Sequence, residues 1–352
     1  MTLIAHSDLP TFKRLQQEGQ EVLLPKTAVS QDIRELHVGL LNMMPDAALE
    51  ATERQFLRLI GSSNRIVQFY VHLFSPKKIQ RQGKAREHVA RYYEDFAQIK
   101  QNGLDALIIT GANPVQSELE KEDFWHEFCE VIDWARQHVC SIMCSCLATH
   151  AVLQILYKEK RYKLPEKRWG IYSHRLTTQH PLVSNMNTKF DAAHSHIYEV
   201  NCQQIQNAGI ILLAKSTEAG LHLAVSKDFR FVFSQGHPEY DTFSLLKEYK
   251  REVLRYLNDS REDYPRLPLN YFNSRAGAML EDYKNKALKA KKANLKLPEF
   301  PETEAAQLLD NTWVDTGKSL FNNWLGLVYK LTDKDRHVPL MPGLSPENPL
   351  GI

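Results

Sequence analysis

No stretch of this sequence approaches the length of a membrane span, and its first eight residues lack the basic-then-apolar pattern of a secretion signal. The expectation is a cytoplasmic protein. An excess of charge of one sign is also missing. A formal net charge of +2 over 352 residues gives no reason to expect nucleic acid or a membrane surface as a partner. Cysteine is scarce. Five residues (129, 140, 144, 146 and 202) are an odd number in a long chain, which argues against a disulfide framework. They do not make a zinc site either. Cys140 and Cys144 fall on or beside a presumed buried strand, and no Cys-x-x-Cys pair or matching His cluster completes a tetrahedron. No metal is expected. Phosphate-cradling Gly-x-x-x-x-Gly-Lys and Gly-x-Gly-x-x-Gly loops are absent, as is any internal repeat.

What remains, 43% apolar and 24% charged residues, is the composition of an ordinary globular protein with one large core or two smaller ones. Residues 1–35 are polar and mixed and read as an N-terminal arm or edge element. Val38–Met44 is an expected strand stopped by Pro45, with Asp46 as a candidate N-cap for a helix marked by Leu49, Phe56, Leu57 and Ile60. Ile66–Phe74, rich in β-branched and aromatic residues, reads as a second strand. The basic stretch Lys77–Arg91 reads as a solvated loop and helix start, Tyr92–Ile99 as a helix and Leu104–Thr110 as a third, buried strand. A helix over Glu120–Gln137 then leads to the apolar run Val139–Met143. Strand and helix alternate, so the expected fold is α/β, a doubly wound and mostly parallel sheet with flanking helices. Short strands after Tyr157 suggest an antiparallel or mixed extension, followed by a helix from Asp241 to Leu257. Arg261–Lys296 is polar, strongly basic from Lys284, and reads as an exposed helix or linker. Leu320–Tyr329 is a last apolar helix, for the core or a dimer face. The expected division is an arm (1–35), a catalytic domain (36–260), and a linker with a C-terminal helix packing on the core (261–352).

The chemistry concentrates where Val139–Met143 gives way to the helical pattern of Ala148, Ala151, Val152, Ile155 and Leu156. Cys146 sits at the change of period. A residue on a tight strand-to-helix turn is pushed clear of the sheet and meets a helix N-terminus, the geometry of a nucleophile elbow. Small neighbours at Cys144 and Ala148 permit so sharp a turn, and backbone N–H groups at the helix start can hold an oxyanion. A thiol that attacks an acyl group needs a base, and the base needs a carboxylate to orient it. Phe233–Asp241 offers both. A strand ends at Gly236, Pro238 stops the ladder, and His237 and Glu239, two apart in extended chain, leave on one face. The loop Gly111–Val115, after the carboxyl end of the third strand, is a further site candidate by position.

Strand-Cys-helix followed by Gly-His-Pro-Glu resembles the class I glutamine amidotransferase fold. Within it the chain is most similar to homoserine O-acyltransferases of the homoserine O-succinyltransferase type. The matching stretches are Leu41–Pro45, Glu53–Arg58, Ile109–Ala112, the Cys146 segment, Gly236–Asp241 and Phe321–Leu325, spread over residues 35 to 330. The resemblance implies a ping-pong transfer with no permanently bound cofactor. Cys146 would take a succinyl group from succinyl-CoA and pass it to the hydroxyl of L-homoserine, the first committed step of methionine biosynthesis. His237 would be the base, Glu239 its orienter, and the Leu147 N–H part of the oxyanion hole. Lys167, Ser195 and Arg251 carry over as substrate-binding residues, Ser195 also bearing on donor choice. A homodimer that takes only small-molecule substrates is implied.

This chain departs from the family in two places. Asp46 and Ala47 stand where the family has a lysine, and the loop after Thr110-Gly-Ala112 reads Asn113-Pro114-Val115. The family residue aligned with Val115 helps choose the donor, glutamate going with acetyl and glycine with succinyl. Val115 brings no carboxylate to repel a succinyl group, which favours succinyl-CoA over acetyl-CoA. The alternatives are a homoserine O-acetyltransferase, a glutamine amidotransferase or related cysteine hydrolase with the same triad, and a binding protein that keeps the fold without catalysis.

Overall fold

The computed structural model describes residues 2–31, 33–63 and 67–352. Met1 and Asp32 of the expected arm, and Ile66, the expected first residue of the second strand, lie outside the described residues. In chain order the strands are β1 (Thr2–Ile4), β2 (Val22–Leu23), β3 (Glu35–Leu41), β4 (Gln68–Phe74), β5 (Ala106–Ile109), β6 (Ser141–Ser145), β7 (Tyr162–Leu176), β8 (Lys189–Glu199), β9 (Ile211–Ser216), β10 (Gly220–Val225) and β11 (Phe231–Ser234). They form one sheet in the order β2-β1-β4-β3-β5-β6-β11-β10-β9-β7-β8. The pairs from β2 to β11 are parallel, and those from β11 to β8 are antiparallel. This is the expected mostly parallel α/β sheet with an antiparallel extension.

Burial explains the parallel half. Every residue of β5, β6 and β11 is buried, as strands covered by helices on both faces require. On one face lie the helices Leu49–Ser62 and Val314–Leu331, and on the other Trp125–His138 and Leu147–Tyr157. The helix expected around Leu320–Tyr329 covers the core. Trp324 is fully buried, and its indole N–H donates to Ser141 Oγ at 3.0 Å. β3 lies between β4 on one side and β5 on the other, so the chain leaves β3 toward one edge of the sheet and β5 toward the other. The loops after β3 and β5 therefore open a crevice at the carboxyl edge of the sheet.

The stretch read as an arm or edge element forms the sheet edge, with β1 paired to both β4 and β2. Several other local expectations give way. Asp46 caps no helix. It accepts from the Gln82 N–H at 2.9 Å and from Arg81 at 3.3 Å, and the helix begins at Leu49 without a side-chain cap. The helix expected over Tyr92–Ile99 is two, Gly83–Tyr92 and Phe96–Asn102, because Asp95 caps the second by accepting from the Ala97 N–H. The expected short strands after Tyr157 begin with two long ones, the 15-residue β7 and the 11-residue β8. Residues 261–296 are not a free linker. Leu269 exchanges backbone hydrogen bonds with Trp169 and Ile171 at 2.8 Å each. Gly170 (φ +147°) makes this possible, since a Cβ there would stand 2.2 Å from the Leu269 oxygen. The helix Ser274–Lys292 buries Ala276, Leu280, Tyr283 and Ala287, a 4-3-4 spacing that gives one apolar stripe. That stripe joins a third cluster with Tyr249 and Val253 of the helix Ser244–Leu257. Lys291 closes the end of that helix, donating to the Leu257 and Tyr256 carbonyls at 2.8 and 3.2 Å.

Candidate active site

Cys146 leaves β6 in a conformation that L-residues rarely adopt, φ 51° and ψ −108°, and the helix Leu147–Tyr157 starts directly after it. Such strain costs on the order of 1–3 kcal/mol and persists only where the surroundings enforce it. Here the Cys146 N–H donates to the Ser234 carbonyl at 2.7 Å, and Thr149 Oγ1 donates to the Cys144 carbonyl at 2.8 Å. The thiol is thereby turned out of the sheet into a cleft of about 310 Å³ and remains half-buried. Gly111 packs beside it, its Cβ position only 3.6 Å from that of Cys146.

His237 comes from the end of the neighbouring strand. β11 pairs with β6 in register, Ser234 beside Ser145, so the two chain ends emerge side by side. The turn between Ser234 and His237 is held tightly. Gln235 N–H donates to the His222 carbonyl and His237 N–H to the Ala193 carbonyl, both at 2.8 Å. His237 Nδ1 and Glu239 Oε1 lie 2.8 Å apart with both side chains buried. Tyr240 stacks on the imidazole at 4.2 Å between centroids. His237 Nε2 has no hydrogen-bond partner among the described residues, and the imidazole lines the same cleft as the Cys146 thiol. Burial alone would lower this imidazole, but the charges of Glu239 and Cys146 outweigh it and hold it well above its ordinary value. From the far side the C-terminal helix supports the same loop. Gly317 lies against Pro238, where a Cβ would come within 2.6 Å of the Pro238 oxygen, and the Trp313 indole donates to the Tyr240 carbonyl at 2.8 Å.

Lys167 and Ser195 stand on the paired strands β7 and β8, Arg251 on the helix Ser244–Leu257, and all three line the cleft with Cys146. What joins them is a residue that sequence reasoning missed, Glu248. Its carboxylate accepts from Ser195 Oγ at 2.6 Å, the Trp169 indole at 3.0 Å and the Tyr240 hydroxyl at 2.5 Å, with Lys167 Nζ at 3.4 Å. Burial would raise this carboxyl, but Lys167 and the hydroxyl donors outweigh it and keep it below the usual range. Gln235 was also missed. His150, driven down to about 4 by burial and so neutral, bonds Gln235 Oε1 at 2.5 Å. That contact aims the Gln235 amide N–H at Cys146 Sγ, 3.9 Å away. Arg161, the third basic residue of the cleft, carried no signal either. Only the helical spacing of Glu248 and Arg251, one turn apart, was open to inspection.

Val115 is not brought to this cleft. It is 89% exposed, and the lining from its loop comes from Ala112, Asn113 and Pro114. The Asn-Pro sequence turns the chain outward before Val115 is reached. Among the described residues, two groups have the composition of metal ligands, His174 with His194 and His222, and His6 with His72 and Glu94. The first lies directly behind Gly236, with His174 Nε2 and His194 Nε2 at 3.0 Å, and burial keeps all three imidazoles below their ordinary value. Neither group includes a residue of the triad.

The family model of homoserine O-succinyltransferase matches residues 2–334. A homoserine O-succinyltransferase of Methylobacter tundripaludum is 55% identical over 354 residues, covering 100% of both chains. One from Methylococcus capsulatus is likewise 55% identical, again over 100% of each chain. Among solved structures, a glutamine amidotransferase from Thermotoga maritima superposes with a TM-score of 0.44 at 11% identity, covering 84% of this chain and 98% of that one.

Proposed function

The chain belongs to the homoserine O-succinyltransferase family, and from that premise we propose how its residues carry the reaction. The activity is transfer of a succinyl group to homoserine, a step of methionine biosynthesis. The donor is succinyl-CoA, bound as a co-substrate. His237 Nε2 takes the Cys146 thiol proton, and the thiolate attacks the thioester carbon of succinyl-CoA. The developing oxyanion is met by the Leu147 N–H at the start of its helix. The C–S bond to CoA breaks, His237 gives its proton to the departing sulfur, and CoA leaves as the thiol with the imidazole neutral again. Cys146 now carries the succinyl group as a thioester. In the second half, His237 removes the hydroxyl proton of homoserine and the oxygen attacks the same carbonyl carbon. The Cys146–acyl bond breaks, and the proton on His237 returns to the thiolate. Glu239 holds the imidazole in one tautomer and balances its charge throughout.

One observation carries this reading. Cys146 on a strained elbow, and His237 bonded to Glu239 at 2.8 Å, open into one cleft from adjacent strand ends. Around the acceptor, Arg251 and Lys167 suit the homoserine carboxylate, while Glu248 suits its ammonium group. No described helix is long and apolar enough to cross a membrane. The family reading makes the enzyme a homodimer in the cytoplasm, and light scattering tests the dimer. The mechanism is tested by intact-protein mass after mixing with succinyl-CoA and no acceptor. A succinyl adduct that is absent in Cys146→Ala and discharged by L-homoserine is expected. An adduct that survives Cys146→Ala would sink the assignment of the nucleophile.

A further inference from the structure

The cleft beside Cys146 sets three fixed cations, Arg161, Lys167 and Arg251, against one carboxylate, Glu248. Two of the cations are already engaged. Lys167 lies 3.4 Å from Glu248 and Arg251 lies 3.2 Å from Glu252. Arg161 differs. It stands immediately before β7, half-buried, with its guanidinium carbon 4.0 Å above the ring centroid of Tyr198. Its one hydrogen bond, to the Ser117 carbonyl, is long at 3.4 Å. Its Nε is buried without a partner, and no carboxylate pairs with it among the described residues. An arginine does not escape burial by losing its proton. A guanidinium held over an aromatic face, with donors unmet, is a preformed receptor for a planar oxyanion.

The reaction brings two carboxylates into this cleft. Homoserine is a zwitterion, and the Lys167–Glu248–Arg251 side offers groups of both signs. A succinyl group carries only negative charge at its far end and is matched by a cation that no carboxylate pairs with directly, Glu122 acting on Arg161 only from beyond ion-pair distance. We propose that Arg161 receives the distal carboxylate of the succinyl group, and so selects a succinyl over an acetyl donor. Val115 is exposed and does not line the cleft. The inference rests on Cys146 being the residue that is acylated.

The test uses the full chain, wild type beside Arg161→Met and Arg161→Lys. Acylation rates with succinyl-CoA and acetyl-CoA are followed by intact mass, and the homoserine KM in steady state. A charge-assisted bidentate contact predicts that Arg161→Met lowers the ratio of succinyl to acetyl acylation by about 10–100-fold. Arg161→Lys should lie between, retaining the charge without the fork, and it remains informative if the methionine variant does not fold. The homoserine KM should move far less than the donor preference. Equal losses with both donors would assign Arg161 to a part of CoA that they share, or to folding, and would overturn the proposal. A rise confined to the homoserine KM would place the acceptor's carboxylate on Arg161 and would overturn it equally. Failure of the nucleophile reading is seen separately, as an adduct that persists in Cys146→Ala.

Discussion

Gly236→Ala would place a methyl carbon 2.6 Å from His222 Nδ1 and 2.9 Å from His194 Nε2, well inside an ordinary contact at 3.4 Å. Neither imidazole has room to retreat. His194 is 0% and His222 3% exposed, His194 is bonded to His174 at 3.0 Å, and His222 is wedged between His174 and Phe190 with centroids 4.7 and 5.5 Å away. The turn must give instead, by about 0.8 Å if the histidines hold, and the next residue along it is the base. Overpacking of this kind costs about 1–3 kcal/mol of stability. Misplacing a catalytic group by about 1 Å costs on the order of 10²-fold in rate. The expected outcome is a roughly 100-fold slower single-turnover acylation from succinyl-CoA, with a urea midpoint lowered by the equivalent of 1–3 kcal/mol. Gly277→Ala is the control. It lies inside the helix Ser274–Lys292 with nothing within 4 Å of its Cβ position. It should leave the rate unchanged and add about 0.5–1 kcal/mol of stability. Wild-type acylation and midpoint in Gly236→Ala would refute the view that the buried histidines set the position of His237.

Glu248→Gln keeps the shape of the acceptor side but leaves Lys167 without a counter-charge. The homoserine KM is expected to rise about 10–100-fold while acylation by succinyl-CoA changes little, and equal losses in both would reduce Glu248 to a structural role. Trp324→Ala removes the largest fully buried side chain and should cost about 3–5 kcal/mol in urea unfolding. A loss under about 1 kcal/mol would contradict the packing of that helix on the core. Buried His150 and His174 are lowered to about 4. Between about pH 6.5 and 4 the unfolded chain takes up protons there that the folded chain refuses, so stability falls on acidification by about 3 kcal/mol for each at pH 4. His237 has the opposite sign. Raised above its ordinary value, it binds its proton more tightly when folded, and its contribution is lost as pH climbs through that raised value. Urea midpoints should therefore decline on both sides of neutrality, and a flat profile from pH 7 down to 4.5 would rule out the histidine account.

What could be read from the chain, and what could not, follows from how each signal arises. Cys146 and His237 stand where one local pattern stops and another begins, an apolar run becoming a helix or a strand halted by proline. Such changes of period survive in one dimension. Strands buried on both faces are mostly apolar, which is why the central parallel strands β3 to β6 were legible. β7 is mostly exposed over its first seven residues, so its polar sequence reads as loop until β8 is laid beside it. β1 is three residues long, too short for any periodicity, and only its pairing with β4 makes it a strand. In the helix Ser274–Lys292 the lysines mask the 4-3-4 stripe of Ala276, Leu280, Tyr283 and Ala287. The cleft's charges show the deeper reason. A sequence displays Arg161, Lys167 and Arg251 as equal cations, but what separates them is who stands opposite. Lys167 meets Glu248 across 81 residues of chain, whereas Arg161 meets an aromatic face and a distant carbonyl. Being unpaired is a property of the fold alone. The residue fitted to grip an incoming anion was therefore the one with no motif to announce it.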